Sequence, residues 1–318
     1  MTTAISATPN ATPLATLEAG TAYDAAAHAD ATRTAYTSDA QCWMRWLEGE
    51  GVNATGATPA HVAAYLAHLA DTGHAAATID RRLVAIRALY RAAGLEDPTK
   101  SDAVTRTRRG IRRTIGTAQR EARPVLLEDL SAMLRTLPAT LLGARDRALL
   151  LVGFAGAFRR AELAGIRAED LEWSDRGVVV TLPRSKTDQE GAGRTVAIPF
   201  ARVASRCPVR ALRAWLEAAG IEAGPVFRSV NRHGKVNDKA ITPKAVALVV
   251  KRTAEAAGMD ADRLSGHSLR AGLATAAAMA GADERSIMQQ TGHRSTAMVR
   301  RYIRQAEQWT NNAAGAVL

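Results

Sequence analysis

The chain has 318 residues, with 42 Lys and Arg against 31 Asp and Glu, for a formal charge of +11. That length allows two domains with separate cores, and the cationic excess favours a polyanionic partner, because Lys and Arg that neutralise phosphates release condensed counterions. Cys42 and Cys207 alone exclude a disulfide framework and lack C-x-x-C metal spacing; no apolar run reaches the roughly eighteen residues of a membrane span, and no secretory signal opens the chain, so a soluble protein of a reducing cytosol is expected.

Residues 1 to about 30 are rich in Ala and Thr, contain Pro9 and Pro13, show no steady apolar period and read as a flexible leader. Residues 31–115 read as a helical domain. Tyr36, Trp43, Trp46 and Leu47 mark a first amphipathic helix. Thr58-Pro59 supplies an N-cap followed by proline at the first helical position, and Val62, Tyr65, Leu66 and Leu69 then recur at helical spacing. Ile79, Leu83, Ile86 and Tyr90 mark a third helix, with Arg81, Arg82, Arg87 and Arg91 on its other faces and Gly94 at its end. A fourth opens near Ser101-Asp102 and carries Val104, Ile111 and Ile115 among Arg106, Arg108, Arg109, Arg112 and Arg113.

Residues 116–124 lack an apolar period, end in proline and read as an extended linker. Beyond it, residues 125–318 read as a mostly helical domain with a small antiparallel sheet. Helices are predicted at about 127–137 and 142–155. Strands are predicted at Gly177–Leu182 and Arg194–Ile198, joined as a hairpin by the Gly- and charge-rich stretch from Pro183 to Gly193. From Pro208 onward the pattern is helical throughout, including 242–257 and Leu269–Ala280, the latter capped by Ser268.

The chemistry-bearing residues lie in this second half. Arg159 falls near the start of a short helix with Glu162 three residues on, and Arg270 falls in the first turn after Ser268. Helix N-termini attract anions, and a guanidinium there adds a planar, bidentate donor for phosphate oxygens. His267 and His293 sit at helix entrances, and Tyr302 follows His293 by nine residues on a helix that Ser295 would cap. Two arginines, two histidines and a phenol are a residue set for attack on a phosphodiester. Taken singly, each piece has a plainer reading. Tyr302, between Val299 and Ile303, suits the edge of an apolar stripe, and a phenol of reference pKa about 10 is a poor nucleophile without a base or cations. His-x-x-Arg suits a capped helix with a basic turn, and Lys186 suits a solvated loop. Neither histidine has a carboxylate or thiol cluster beside it, which disfavours a metal site.

Together, Arg159-x-x-Glu162, Lys186 between paired strands, His267-x-x-Arg270 and His293 with Tyr302 nine residues on resemble the tyrosine recombinases, or phage-type integrases. Ala75-x-x-Thr78-Ile79 ahead of a basic helix, the Arg-rich helix 101–115 and Val299-x-x-Tyr302-Ile303-Arg304 look most like the Cre-like members. The resemblance covers roughly residues 33 to 310. It implies a SAM-like core-binding domain of four or five helices and an α+β catalytic domain, closed as a C-shaped clamp on duplex DNA. It implies that Tyr302 attacks to give a 3′-phosphotyrosyl link, that Arg159 and Arg270 hold the non-bridging oxygens, and that His293 donates a further hydrogen bond. His267 would assist proton transfer at the tyrosine, Lys186 would protonate the leaving 5′ oxygen, and Glu162 would hold the site together. No metal, nucleotide or other cofactor is implied. The implied partner is double-stranded DNA with inverted-repeat sites. The protein, bacterial or phage-encoded, would be a cytoplasmic, nucleoid-associated monomer in solution and a tetramer on two sites, exchanging strands through a Holliday junction. Arg81, Arg82, Arg87, Arg106, Arg108, Arg109 and Arg112 would face DNA, and Lys244 would enter the major groove.

Some Cre-like members carry Trp where this chain has His293. Sixteen residues follow Tyr302, enough for a tail with Trp309 that docks on a neighbouring subunit, and the chain leaves no room for an extra arm-binding domain. A type IB topoisomerase, which uses similar chemistry without joining two sites, and a DNA-binding descendant that no longer cuts remain as alternatives. An RNA-binding protein fits less well, since no aromatic stacking motif sits among the basic residues.

Overall fold

The computed structural model describes residues 30–118, 122–183 and 193–307, with side chains from Thr34 to Arg304 within those spans. The chain divides into two compact units, Met1–Gln119 and Arg120–Leu318. The expected leader, the middle of the linker, most of the connection between the paired strands and the tail beyond residue 307 lie outside the described residues.

The first unit contains α1 (Asp30–Gly49), α2 (Pro59–Asp71), α3 (Ala76–Ala92) and α4 (Asp102–Ile115). The four helices follow from the sequence signals. Thr58 precedes the Pro59 start, with its N–H donating to Nδ1 of His61 at 3.0 Å, and Ser101 Oγ accepts from the Val104 N–H at 3.2 Å. The apolar stripes meet in one core of Trp43, Leu47, Tyr65, Leu66, Leu69, Ile79, Ile86, Tyr90 and Val104. Trp43 stacks on Trp46 and tilts against Tyr65, and the Tyr90 hydroxyl donates to the Ala54 carbonyl at 2.6 Å. The helix α4 joins this core mainly through Val104; Ile115, grouped with it on spacing, is exposed.

The second unit is built around α6 (Leu141–Ala155), which is apolar on nearly all sides and is wrapped accordingly. Around it lie α5 (Leu127–Arg135), α7 (Arg160–Gly165), α8 (Pro208–Ala219), α9 (Pro243–Ala256), α10 (Ser268–Met279), α11 (Glu284–Thr291) and α12 (Thr296–Glu307). Gly177–Leu182 and Arg194–Pro199 pair antiparallel, with Val178 opposite Ile198 and Val180 opposite Val196, and these four valine and isoleucine side chains enter the core. They are β2 and β3 of a three-stranded sheet whose other edge is β1 (Leu171–Trp173), a strand too short to show alternation in sequence. Buried charge is neutralised within the unit: Asp146 lies between Arg145 and Arg252. Among the described residues no helix is long and apolar enough to cross a membrane.

Two expectations are corrected. The stretch after Pro208 is not helical throughout: β4 (Arg228–Val230) and β5 (Val236–Ala240) form a hairpin. Its turn is held by Asn231, whose side-chain oxygen accepts from the N–H groups of His233 and Lys235, and by Gly234 at φ 77°. The helix carrying Arg270 begins one residue earlier than predicted, with His267 at the cap position. Ser268 is buried in the first turn, and its Oγ accepts from the Ser265 N–H at 2.9 Å.

The seat of α10 depends on Gly272. The Val125 N–H donates to the Ser268 carbonyl at 2.9 Å, and a Cβ on Gly272 would lie 1.9 Å from the Val125 carbonyl oxygen. Gly110 in α4 is different, because a Cβ there meets nothing within 4 Å. We predict that Gly272→Ala destabilises the second unit by about 3 kcal/mol through overpacking. Gly110→Ala should stabilise the first unit by about 0.5–1 kcal/mol. Native-state hydrogen exchange, which reads the two units separately, checks both.

Candidate active site

A single carboxylate gathers the site. Glu162 is the third residue of α7, so its side chain reaches back to the helix start in the manner of a capping box, with Arg159 in the cap position. Its Oε2 accepts from the Arg159 backbone N–H at 2.9 Å, its Oε1 from Arg159 Nη1 at 2.5 Å, and Oε2 also accepts from Arg194 Nη2 at 3.2 Å. Burial works to raise the Glu162 carboxyl, but the two Arg159 hydrogen bonds and the charges of Arg159 and Arg194 outweigh it. The group is held below the usual carboxylate range and stays ionised.

Arg194 opens β3 and was not singled out by sequence. It links Glu162 to the end of α11, where its Nη1 donates to the Gln290 carbonyl at 3.3 Å. Gln290 in turn sends its side-chain amide to the carbonyls of Ala155 at 2.8 Å and Ala197 at 3.2 Å, joining α11 to α6 and β3. Gly292 then turns the chain at φ 64°, and any Cβ there would sit 2.9 Å from Arg194 Nε. Helix end, glycine and arginine together fix where His293 begins.

Arg270 is 3 % exposed. Its Nη1 donates to the Ala157 carbonyl at 2.8 Å, and Ala157 holds that carbonyl in place with a φ of 47°, in the left-handed region. Burial first, and then the charge of Arg159, lower the Arg270 guanidinium to about 10, so it remains protonated at neutral pH. Its Nη2 and the Nε of Arg194 are buried and have no hydrogen-bond partner among the described residues. Arg270 is buried and Arg194 partly so, and each keeps a donor of the kind that an anion accepts from.

His293 and Tyr302 complete the set. Tyr302 is half-buried on α12, beside a small apolar cluster of Ala274, Ile287 and Val299, as its spacing predicted. The rings of His293 and Tyr302 are 5.8 Å apart and tilted by 36°. Nδ1 of His293 lies 2.7 Å from the Thr291 hydroxyl. Burial, followed by the charges of Arg270, Arg159 and Arg194, pushes the imidazole down to about 4, so it is neutral at pH 7. His267 is exposed at the start of α10. The structure thus brings Arg159, Glu162, Arg270, His293 and Tyr302 into one unit and adds Arg194, Gln290 and Thr291. Lys186 lies outside the described residues. Lys244 is exposed in the first turn of α9, which Thr242 caps by accepting from the Ala245 N–H at 3.1 Å.

The basic residues of the first unit divide into two groups. Arg81 and Arg82 pair with the buried Asp39, and Arg82 also donates to the Tyr65 hydroxyl at 3.3 Å, which makes it a strut of the bundle. Arg87 pairs with Asp97, and Arg108 and Arg112 flank Asp80 at 2.6 Å each. Arg106 and Arg109 are exposed on α4 and carry no ion pair among the described residues.

The depressed His293 value has a consequence for stability. Above pH 6.5 the ring is neutral whether folded or unfolded. Between 6.5 and 4 the unfolded chain takes up a proton that the folded protein refuses, so stability falls as pH falls. Relative to a His293→Gln variant, the wild type should lose about 1–2 kcal/mol between pH 7.5 and 4.5, after allowing for solvent screening of a half-buried ring. Urea denaturation of the two proteins at both pH values checks this.

Comparison with known proteins agrees with this geometry. Residues 125–308 match the model of the phage integrase family, and residues 24–97 match the phage integrase N-terminal SAM-like domain. The chain is 41 % identical over 289 residues to an integrase/recombinase xerD homolog of Selenomonas ruminantium, covering 90 % of this chain and 84 % of that protein. Identity to the recombinase cre of Escherichia phage P1 is 26 %, over 84 % and 82 % of the two chains. The leaning toward Cre-like members is therefore corrected: the xerD homolog is the nearer of these two relatives. Among solved structures, a lambda integrase dimer bound to a core site shares the fold at a TM-score of 0.63 and 16 % identity, over 90 % of this chain and 75 % of that one. XerH recombinase on its palindromic substrate shares it at 0.61 and 18 %, over 81 % and 72 %. With a catalytic-domain match over more than half its length and a relative at 41 % identity, the chain belongs to the phage integrase family of tyrosine recombinases, the DNA strand transferases of site-specific recombination.

Proposed function

We propose that the protein cleaves and rejoins duplex DNA through a covalent bond between Tyr302 and the 3′ phosphate, without metal or ATP. The observation that carries this reading is the buried Arg270 and the partly buried Arg194, each with a buried donor that has no partner among the described residues, in the same unit as the half-buried Tyr302. A phosphodiester would bring its non-bridging oxygens to Arg159 and Arg270. The extra negative charge of the five-coordinate phosphorus is where fixed, dry donors contribute most. His267 and His293 serve the proton transfers and hydrogen bonds at the phosphate. Lys186 protonates the leaving 5′ oxygen. Because the phosphotyrosine retains the bond energy, the free 5′ hydroxyl of another strand reverses the attack.

On this reading residues 31–115 and 125–318 both bind the duplex and are joined by a linker at 116–124. Arg106 and Arg109, exposed on α4, are the leading phosphate contacts of the first half; Arg87, Arg108 and Arg112 would exchange a carboxylate partner for DNA, since partly exposed ion pairs contribute little, and Arg81, paired with the buried Asp39, would reach DNA with its exposed side. The early residues of α9 would enter the major groove with Lys244 as a reader. Four copies would assemble from monomers on two inverted-repeat sites and pass through a Holliday junction, with residues 308–318 docking on a neighbour. Bacterial relatives and a DNA substrate support a site of action at the nucleoid.

The test uses full-length protein, metal-free buffer and a library of randomised duplexes carrying nicks beside inverted repeats. Covalent protein–DNA adducts should form with the wild type and vanish with Tyr302→Phe, and sequencing them gives the site. Arg270→Lys, which keeps the charge but loses the planar fork, should slow adduct formation by about 10²–10³-fold. Tight binding with no adduct from the wild type would overturn the reading in favour of a DNA-binding protein that does not cut.

A further inference from the structure

Arg194 belongs to none of the motifs that the sequence offers, yet its side chain joins two of the segments that carry them. It opens β3, and its guanidinium donates to Glu162 on α7 at 3.2 Å and to the Gln290 carbonyl at the end of α11 at 3.3 Å. Gly292 lies against the face of the same group. A Cβ built on that glycine would sit 2.9 Å from Nε, 3.0 Å from Cζ and 3.1 Å from Nη1, three nearly equal distances to three atoms of one plane. The Gly292 N–H donates to the Met288 carbonyl at 2.7 Å, so the last turn of α11 is intact up to the glycine. His293 is the next residue. A displacement of the Gln290 carbonyl therefore carries through to the imidazole.

Attaching α11 does not require Arg194. The Gln290 side-chain amide already donates to the carbonyls of Ala155 and Ala197, which fastens the helix end to α6 and β3 without any charge. A residue that served to fill this space would do so better as an apolar side chain, because taking a guanidinium out of water costs stability that its ion pair recovers in part. Both contacts of the Gln290 amide are to backbone. The contact with Glu162 comes from Arg194, and Glu162 is the carboxylate that also holds the Arg159 side chain at 2.5 Å. Through that one guanidinium the turn before His293 is set against the seat of Arg159.

We propose that Arg194 is a positioning residue for strand cleavage: by bridging Glu162 and the Gln290 carbonyl it holds His293 in register with Arg159, so that both meet the same phosphate. This rests on the reading of Tyr302 as nucleophile and of His293 as a hydrogen-bond donor to the phosphate. The positive charge of Arg194 favours an anion at the site in any case, and the bridge is a separate function. It needs the planar fork, because a lysine ammonium placed beside Glu162 does not also hold the Gln290 carbonyl in that geometry. Gly292 is part of the same device. Its φ of 64° suits glycine, and any Cβ would strike the guanidinium face.

The test is single-turnover adduct formation by full-length protein on a duplex site recovered from wild-type adducts, for wild type, Arg194→Lys, His293→Gln and the double variant. Lysine keeps the charge, and with it the attraction for phosphate. Arg194→Lys should slow adduct formation about tenfold or more with duplex affinity nearly unchanged. Added to His293→Gln it should cost less than about twofold, because no imidazole remains to be positioned. In the free protein, native-state hydrogen exchange should be faster at the Gly292 amide of Arg194→Lys and unchanged in α6. Gly292→Asn tolerates a positive φ but puts a Cβ against the guanidinium, and it should slow adduct formation with Arg194 in place. A wild-type rate in Arg194→Lys or in Gly292→Asn would overturn the proposal. An equal loss with and without His293 would also overturn it and assign Arg194 to the phosphate itself. Faster exchange throughout α6 would make Arg194 a strut of the unit. Absence of adducts from the wild type would refute Tyr302 as nucleophile and the catalytic use of the bridge, while Gly292 exchange would still report whether the bridge holds the turn.

Discussion

The second unit's chemistry depends on the burial of one ionised carboxylate among arginines. Glu162 takes hydrogen bonds from the Arg159 backbone, the Arg159 side chain and Arg194, and through Arg194 it reaches the end of α11. A lone carboxylate in that position would cost several kcal/mol in lost hydration, and the arginines would repel one another without it. Each makes the other tolerable, and breaking such a pair typically costs about 3–5 kcal/mol. The arrangement does not satisfy every donor. Arg270 Nη2 and Arg194 Nε are buried and unmatched among the described residues, and these are the donors on which the proposed phosphate binding draws.

The surrounding fold serves to hold this arrangement still. The apolar α6 gives α7, α8 and α10 a common surface, and Gly272 lets the segment at Val125 approach α10 closely enough to bond to Ser268. Ala157, in a left-handed conformation that costs a non-glycine residue about 1–2 kcal/mol, aims its carbonyl at Arg270. Gln290 ties α11 to the end of α6 and to β3, and the turn at Gly292 passes that rigidity to His293. Tyr302, the proposed nucleophile, is held differently. It rests on the small cluster around Ile287 and Val299, apart from the main core, and α12 is fastened to α11 by the Arg300–Glu284 pair at 3.1 Å. The helix α12 also packs along α10, so the tyrosine sits on a helix held by its neighbours in the same unit.

Much of this was legible in the sequence because it is encoded locally. The helices of the first unit announce themselves by Thr58-Pro59, Ser101 and spacing, and Glu162 lies at the offset where a side chain reaches back to its own helix start. The ordered set from Arg159 to Tyr302 pointed to phosphoryl transfer before any coordinates. What escaped is what depends on distant partners. Arg194 begins a strand like many arginines; its importance comes from Glu162, 32 residues earlier, and Gln290, 96 residues later. Thr291 reads as a small helical residue until its hydroxyl is found between a carbonyl and an imidazole. The β4–β5 hairpin was missed because helical spacing dominates its neighbours, although Asn231 through Gly234 carried a turn signal. Arg82 looked like a surface cation, and only Asp39 and Tyr65, from other helices, show that it supports the bundle.

The measurement that bears most directly on the organising role of Glu162 is the single-turnover rate of covalent adduct formation by Glu162→Gln on a duplex site recovered from wild-type adducts. Duplex affinity is measured in parallel. Gln keeps the shape and can still accept hydrogen bonds but removes the charge that gathers the arginines. The account predicts affinity within a few-fold of wild type and a rate lower by about 10²-fold, on the order of 3 kcal/mol of lost transition-state stabilisation. A folded Glu162→Gln protein that forms adducts at the wild-type rate would contradict it, because the arginines would then hold their geometry without the carboxylate.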